Sequence, residues 1–162
     1  MERVSLIHPI DPVYDEKSEV LILGSFPSVR SREAGFFYGH PQNRFWKVTA
    51  AVMEEDVPHT IPEKRDFLLR NHIALWDVIG RCSICGSSDT SIRDAEPNDL
   101  GVIIGASGLN RIFVNGKTAE KIYRKYTEKA TGIRAVCLPS TSPANAAWSL
   151  EKLIQAWSII KE

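Results

Sequence analysis

The side chains best suited to chemistry fall in a few polar stretches that each follow a short apolar run. Gly24-Ser25-Phe26-Pro27-Ser28 follows Val20-Leu21-Ile22-Leu23, and Gly39-His40-Pro41-Gln42-Asn43-Arg44-Phe45-Trp46 comes soon after. Asp77 follows Ile73 to Trp76, and Asn115 follows Ile112-Phe113-Val114. Ser140-Thr141-Ser142-Pro143-Ala144-Asn145-Ala146 follows Ala135 to Leu138. Asn43 heads a helical pattern, where a carboxamide either caps the helix or orients a water or heterocycle at its positive end. Asp77 and Asn115 are turn-formers or polar groups at one sheet edge. The hydroxyls and N–H groups from Ser140 to Asn145 cap the next helix or cradle one phosphate.

Positioning these groups requires strands that end together. Four apolar runs read as strands: Val20–Leu23, Ile73–Trp76, Ile112–Val114 and Ala135–Leu138. The continuous apolar character of Val20–Leu23 suits burial on both faces. Helical patterns intervene from Asn43 to about Met53, Pro62 to Asn71, Asn98 to Ala106, Lys117 to Thr127, and from Ala144 onward. Alternating strands and helices predict an α/β fold, a mainly parallel four-stranded sheet between two helical layers. Ligands of such sheets bind at the strands' carboxyl ends. Residues 1–18 read as an irregular arm limited by Pro9 and Pro12, Ser25 to Gln42 as a long loop, and Gly80 to Asp94 as another.

The chain has 162 residues with 43% hydrophobic content, which predicts one domain over 1–162. Net charge is zero, 20 basic against 20 acidic residues, so a polyanion must be met by a local patch. Arg111 to Arg134 carries seven basic side chains against Glu120 and Glu128, a net of +5. Ser25 to Lys47 carries Arg30, Arg32, Arg44 and Lys47 against Glu33, a net of +3. Each reads alone as solvated surface; together they fit a phosphate backbone passing two loops of one crevice. Three cysteines make no disulfide framework, and Cys82-Ser83-Ile84-Cys85 is a lone pair without zinc spacing, read as incidental. No secretory signal and no membrane-length run is seen, so a cytoplasmic compartment is expected. His8, His40, His59 and His72 are scattered and make no catalytic triad. Phe26, Phe37 and Tyr38 lie on loops, where a flat ring can stack on a base.

The Gly24–Ser28, Tyr38–Trp46 and Ser140–Ala146 segments resemble the motifs of the uracil-DNA glycosylase superfamily, most of all its hypoxanthine-DNA (deoxyinosine) branch. Asn43 to Lys47 is also similar to the mismatch-specific uracil/thymine glycosylases. The resemblance implies an α/β/α sandwich and a monofunctional hydrolase in base excision repair. Such an enzyme flips a deaminated base from DNA and leaves an abasic site. It implies Asn43 as the catalytic amide and Gly24, Ser25, Pro27 and Ser28 beside the sugar and water. Phe26, Tyr38, Asp77 and Asn115 would stand at the base. Ser140, Thr141, Ser142 and Pro143 would clamp the flanking phosphate, with Ala144 or Asn145 near the wedge that enters the vacated stack. It implies DNA as partner, a monomer, and neither metal nor organic cofactor. The first loop reads Ser25-Phe26-Pro27 where other branches have Asp or Asn, and Ser140-Thr141 stands where several have His or Asn. These departures point to a purine such as hypoxanthine rather than uracil. A non-catalytic nucleic-acid-binding module and a redox protein using Cys82 and Cys85 are the competing classes.

Overall fold

The strand order β3-β2-β6-β7 defines a parallel sheet at the centre of this computed structural model, which describes residues 2–162. The strands are β2 (Val20–Gly24), β3 (Ile73–Asp77), β6 (Arg111–Asn115) and β7 (Ala135–Leu138). All five β2 residues are buried. Val20 and Ile22 face one apolar cluster, and Leu21 and Leu23 face another. This is the period-2 alternation of a strand covered on both sides. The first cluster takes in α2 (Phe45–Val52), α3 (Ile61–Arg70) and α7 (Leu150–Trp157). The second takes in α4 (Gly101–Ser107) and α5 (Lys117–Tyr126). The three layers expected for the chain are present.

Local signals explain the helix ends. Thr60 and Glu63 form a reciprocal capping box at α3, with Pro62 in its first turn. Ser149 caps α7 by accepting from Lys152 N–H. The last helix therefore starts at Leu150, not at Ala144, and the intervening residues form turns. Trp157 is fully buried, and its Nε1–H donates to the Pro139 carbonyl at 2.9 Å. That bond fixes the chain where it leaves β7.

Three expectations need correction. Residues 1–18 are not an irregular arm: β1 (Arg3–Ile7) pairs antiparallel with β4 (Ile79–Cys85). Val13 then bridges Leu75 with backbone bonds of 3.0 and 2.9 Å, covering the open edge of β3. Gly80 to Asp94 is not one polar loop. It contains β4 and a 3-10 turn at Asp89–Ser91, then opens β5 (Arg93–Pro97), which completes a second sheet, β1-β4-β5. Ser25 to Gln42 contains α1 (Val29–Ala34), capped by Ser28 and closed by Gly35 at φ 74°. The remaining helix, α6 (Glu128–Thr131), is a single turn.

Candidate active site

Register brings the polar groups together. Gly24 lies opposite Asp77, and Leu23 lies opposite Val114, so Asn115 comes beside Gly24. Asn115 lies opposite Leu138, two residues before Ser140. A pocket of about 190 Å³ opens at these strand ends. Every one of the expected site residues lines it except Ala144 and Asn145, and Phe37, His40 and Asp89 join them.

Asn43 faces the pocket rather than bulk solvent, and Arg44 takes the N-cap position of α2. The Asn43 Oδ1 accepts twice, from Phe45 N–H at 2.9 Å and from Thr141 Oγ–H at 2.9 Å. Both lone pairs of the amide oxygen are thereby used, so the group left to act is the Nδ2 donor. Thr141 is fully buried. Its Oγ accepts from Asn115 Nδ2 at 3.0 Å, and its N–H donates to Asn115 Oδ1 at 3.1 Å. A directed relay, Asn115 to Thr141 to Asn43, thus orients the amide. Thr141 spends its hydroxyl inside the protein, not on a phosphate. The loop's N–H groups are also engaged: Ser142 N–H donates to Ser140 Oγ, Ala144 N–H to Ser142 Oγ, and Asn145 N–H to Ser142 O. The Ser140 and Ser142 hydroxyls keep a proton to donate, and Pro143 and Ala144 stand exposed at the tip.

Arg44 shapes this same loop. Its Nη1 donates to the Trp148 carbonyl, and its Nη2 to Ser142 O at 3.2 Å and Asn145 O at 3.1 Å. Arg32 Nη2 likewise donates to Gly86 O at 2.8 Å. Two of the four cations in the first basic segment therefore brace loops, and Arg30 and Lys47 remain exposed.

Asp77 is 4% exposed and is held by His8, whose Nε2 lies 2.8 Å from Asp77 Oδ2. The Ile10 N–H donates to His8 Nδ1 at 3.2 Å, so the ring proton sits on Nε2 and points at the carboxylate. His8 follows β1 and reaches the site because its own N–H donates to the Gly80 carbonyl. No local signal announced it, since its partner lies 69 residues away. Tyr38 adopts φ 52° and stacks its ring on Phe45 at 4.1 Å. Its hydroxyl is buried and makes no hydrogen bond among the described residues. Burial pushes this phenol far above its usual range, Asp77's charge adds to the shift, and the neighbouring Asn115 amide offsets part of it. A Cβ on Gly24 would fall 2.5 Å from Asp77 Oδ1 and 3.1 Å from the Tyr38 hydroxyl. Glycine at that position lets acceptor and donor sit side by side. Phe26 forms one wall, 8% exposed and edge-on to His8.

The residues 12–161 match the family model of the uracil DNA glycosylase superfamily. The chain belongs to that superfamily. Within this family the chain is 36% identical over 152 residues to a Methanosarcina barkeri protein named hypoxanthine DNA glycosylase, covering 91% of this chain and 92% of that one. It is 37% identical over 139 residues to a Methanosarcina acetivorans protein of the same name, covering 85% and 87%. The solution NMR structure of a Methanosarcina acetivorans protein, provisionally named a uracil DNA glycosylase, superposes with a TM-score of 0.79 at 31% identity. That match covers 97% of this chain and all of the other.

The remaining chemistry-bearing groups stay apart from the pocket. Cys82 and Cys85 lie on β4, and their odd spacing turns them to opposite faces of the strand, one buried and one half-buried. Burial pushes the Cys82 thiol up, away from thiolate chemistry. Among the described residues no cluster of His, Cys, Asp or Glu could hold a metal, and no helix is long and apolar enough to cross a membrane.

Proposed function

We propose that this chain is a monofunctional DNA glycosylase that removes a deaminated base, with hypoxanthine as its main substrate. The observation that carries the reading is the pair above Gly24, a free Asp77 Oδ1 beside an unpartnered Tyr38 hydroxyl. A lactam presents an N–H donor next to a carbonyl acceptor. Asp77 accepts the first and Tyr38 donates to the second. Adenine turns an unprotonated ring nitrogen toward the carboxylate, which is repulsive; deamination reverses that edge. A mispaired deaminated base also leaves the duplex at lower cost.

Once the base is in the pocket, the Asn43 Nδ2–H donates to it. That bond strengthens as the C1′–N bond breaks and negative charge moves onto the base. Phe26 and the ring wall exclude water from the base. The Ser140 and Ser142 hydroxyls donate to a flanking phosphate, and the Pro143–Ala144 tip enters the vacated stack. The partner is DNA, met by one monomer. No cofactor takes part, so excision continues in EDTA. Asn115 acts through Thr141 as a positioning residue.

The test is a set of duplexes differing only in one base: hypoxanthine, xanthine, uracil, adenine or guanine. Release of hypoxanthine fastest, with adenine untouched, supports the reading. Preferred release of uracil moves the substrate assignment, and binding without release from any duplex supports a non-catalytic module.

A further inference from the structure

The first loop carries no carboxylate, and both lone pairs of the Asn43 oxygen are occupied. Asp77, the carboxylate at the end of β3, is committed to His8 and to the base, so the parallel strand ends leave an attacking water without a base at the sugar. The second sheet supplies one. Asp89 stands in the 3-10 turn between β4 and β5 and lines the same pocket as Ser25 and Asn43. Its Oδ1 accepts from Ser25 Oγ–H at 3.0 Å, and its Oδ2 makes no hydrogen bond among the described residues. The turn is tied down on three sides. Arg32 donates to Gly86 O at 2.8 Å, Val29 N–H donates to Ser87 Oγ at 2.8 Å, and Arg3 donates to Ser91 O at 2.6 Å. A carboxylate fixed in this way is oriented before substrate arrives.

We propose that Asp89, tethered by Ser25, is the general base that takes a proton from the attacking water. The inference rests on the glycosylase reading. In the step, the water oxygen bonds to C1′ as the C1′–N bond breaks, and both electrons of that bond leave with the base. The water proton passes to Asp89 Oδ2. The base, held by Asn43 Nδ2–H, gains one proton from solvent, and Asp89 releases its own to solvent, so the balance closes as one water consumed.

Asp89 is exposed as a residue, but desolvation of its carboxyl at the pocket wall raises it above the ordinary aspartate value; the Ser25 bond opposes this, and Asp77 of β3 adds to it. The phenol of Tyr38 faces it from the loop before α2. Arg93 of β5 and Lys117 and Lys121 of α5 share the adjoining groove. A proton acceptor works only when deprotonated, so excision falls as pH drops through this raised value.

Single-turnover excision of hypoxanthine across the acid-to-neutral range tests the assignment, with DNA binding and thermal melting measured alongside. Asp89→Asn keeps an acceptor for Ser25 and loses the base. It is expected to slow excision about 100-fold or more at neutral pH and to abolish the acid limb, with binding unchanged. Ser25→Ala, which frees the carboxylate without removing it, is expected to slow excision less and keep the limb. It also serves as the second variant should Asp89→Asn melt early. Wild-type rate or an unchanged acid limb in Asp89→Asn overturns the role of Asp89 alone. A wild-type chain that releases no base from any duplex overturns the glycosylase reading beneath it.

Discussion

Replacing Asn43 by aspartate separates two roles that an active-site amide can take. The substitution exchanges one NH2 for one oxygen at nearly constant shape. The Phe45 N–H and Thr141 Oγ–H bonds, both 2.9 Å, keep an oxygen to meet. A negative group at the start of α2 is favoured by the helix dipole by about 0.3–1 kcal/mol, so the fold should melt no earlier than wild type. Catalysis is affected oppositely. The departing base loses its donor, which for a comparable preorganised donor costs about 10²–10³ in rate, or roughly 2.7–4 kcal/mol. The new carboxylate also repels the charge developing on the base, which adds to the loss. Single-turnover release of hypoxanthine, with binding measured on the same duplex, reads both effects. The expected result is at least a roughly 100-fold slower reaction with melting preserved. An Asn43→Asp variant that excises as fast as wild type, or faster, would show that the position works as an acceptor for water and would refute the donor role.

Thr141→Val removes the buried hydroxyl and leaves Asn115 Nδ2 and Asn43 Oδ1 each short of one bond. Unsatisfied buried groups cost about 1–3 kcal/mol, and a misplaced amide about 100-fold in rate, whereas Thr141→Ser should restore both. Melting curves and excision rates that fail to separate Val from Ser would contradict the relay. Gly24→Ala places a methyl 2.5 Å from Asp77 Oδ1, so base reading should suffer and stability should fall by about 1–3 kcal/mol. An unchanged preference for hypoxanthine over adenine in that variant would argue against the Asp77–Tyr38 pair. His8→Phe strips Asp77 of its donor where both side chains are 5% exposed or less, with an expected loss of about 1–3 kcal/mol by urea unfolding. Wild-type stability there would mean the contact is energetically idle.

The parallel sheet was legible because each of its strands carries a continuous apolar run, which burial on both faces demands of the central strand β2 even though the edge strand β7 leaves Val136 exposed. The pocket was legible for the same reason, since every run gives way within two residues to a polar side chain that register then gathers. What escaped notice depended on distant partners. Arg3 to Ile7 is mostly exposed and carries no apolar run; it becomes a strand only because Ile79 to Cys85 lies beside it. His8 and Asp89 gain meaning from Asp77 and Ser25, far along the chain. By resemblance Thr141 belongs to a phosphate clamp and by charge Arg44 belongs to a basic patch, whereas hydrogen bonds direct both inward. Residue type gives a side chain's capacity to bond; only packing decides on what that capacity is spent.

The N-terminal strand has one consequence for how the protein comes into being. Residues 24, 38, 43, 77, 89, 115 and 141 line one cavity and residue 8 braces Asp77 behind it, so neither a nascent fragment nor a proteolytic half contains a working set. A ribosome must release the chain past Cys85 before Arg3–Ile7 meets its partner strand, and past Thr141 before the cavity is complete. Any fusion at the amino end must leave Arg3–Ile7 free to zip against its partner.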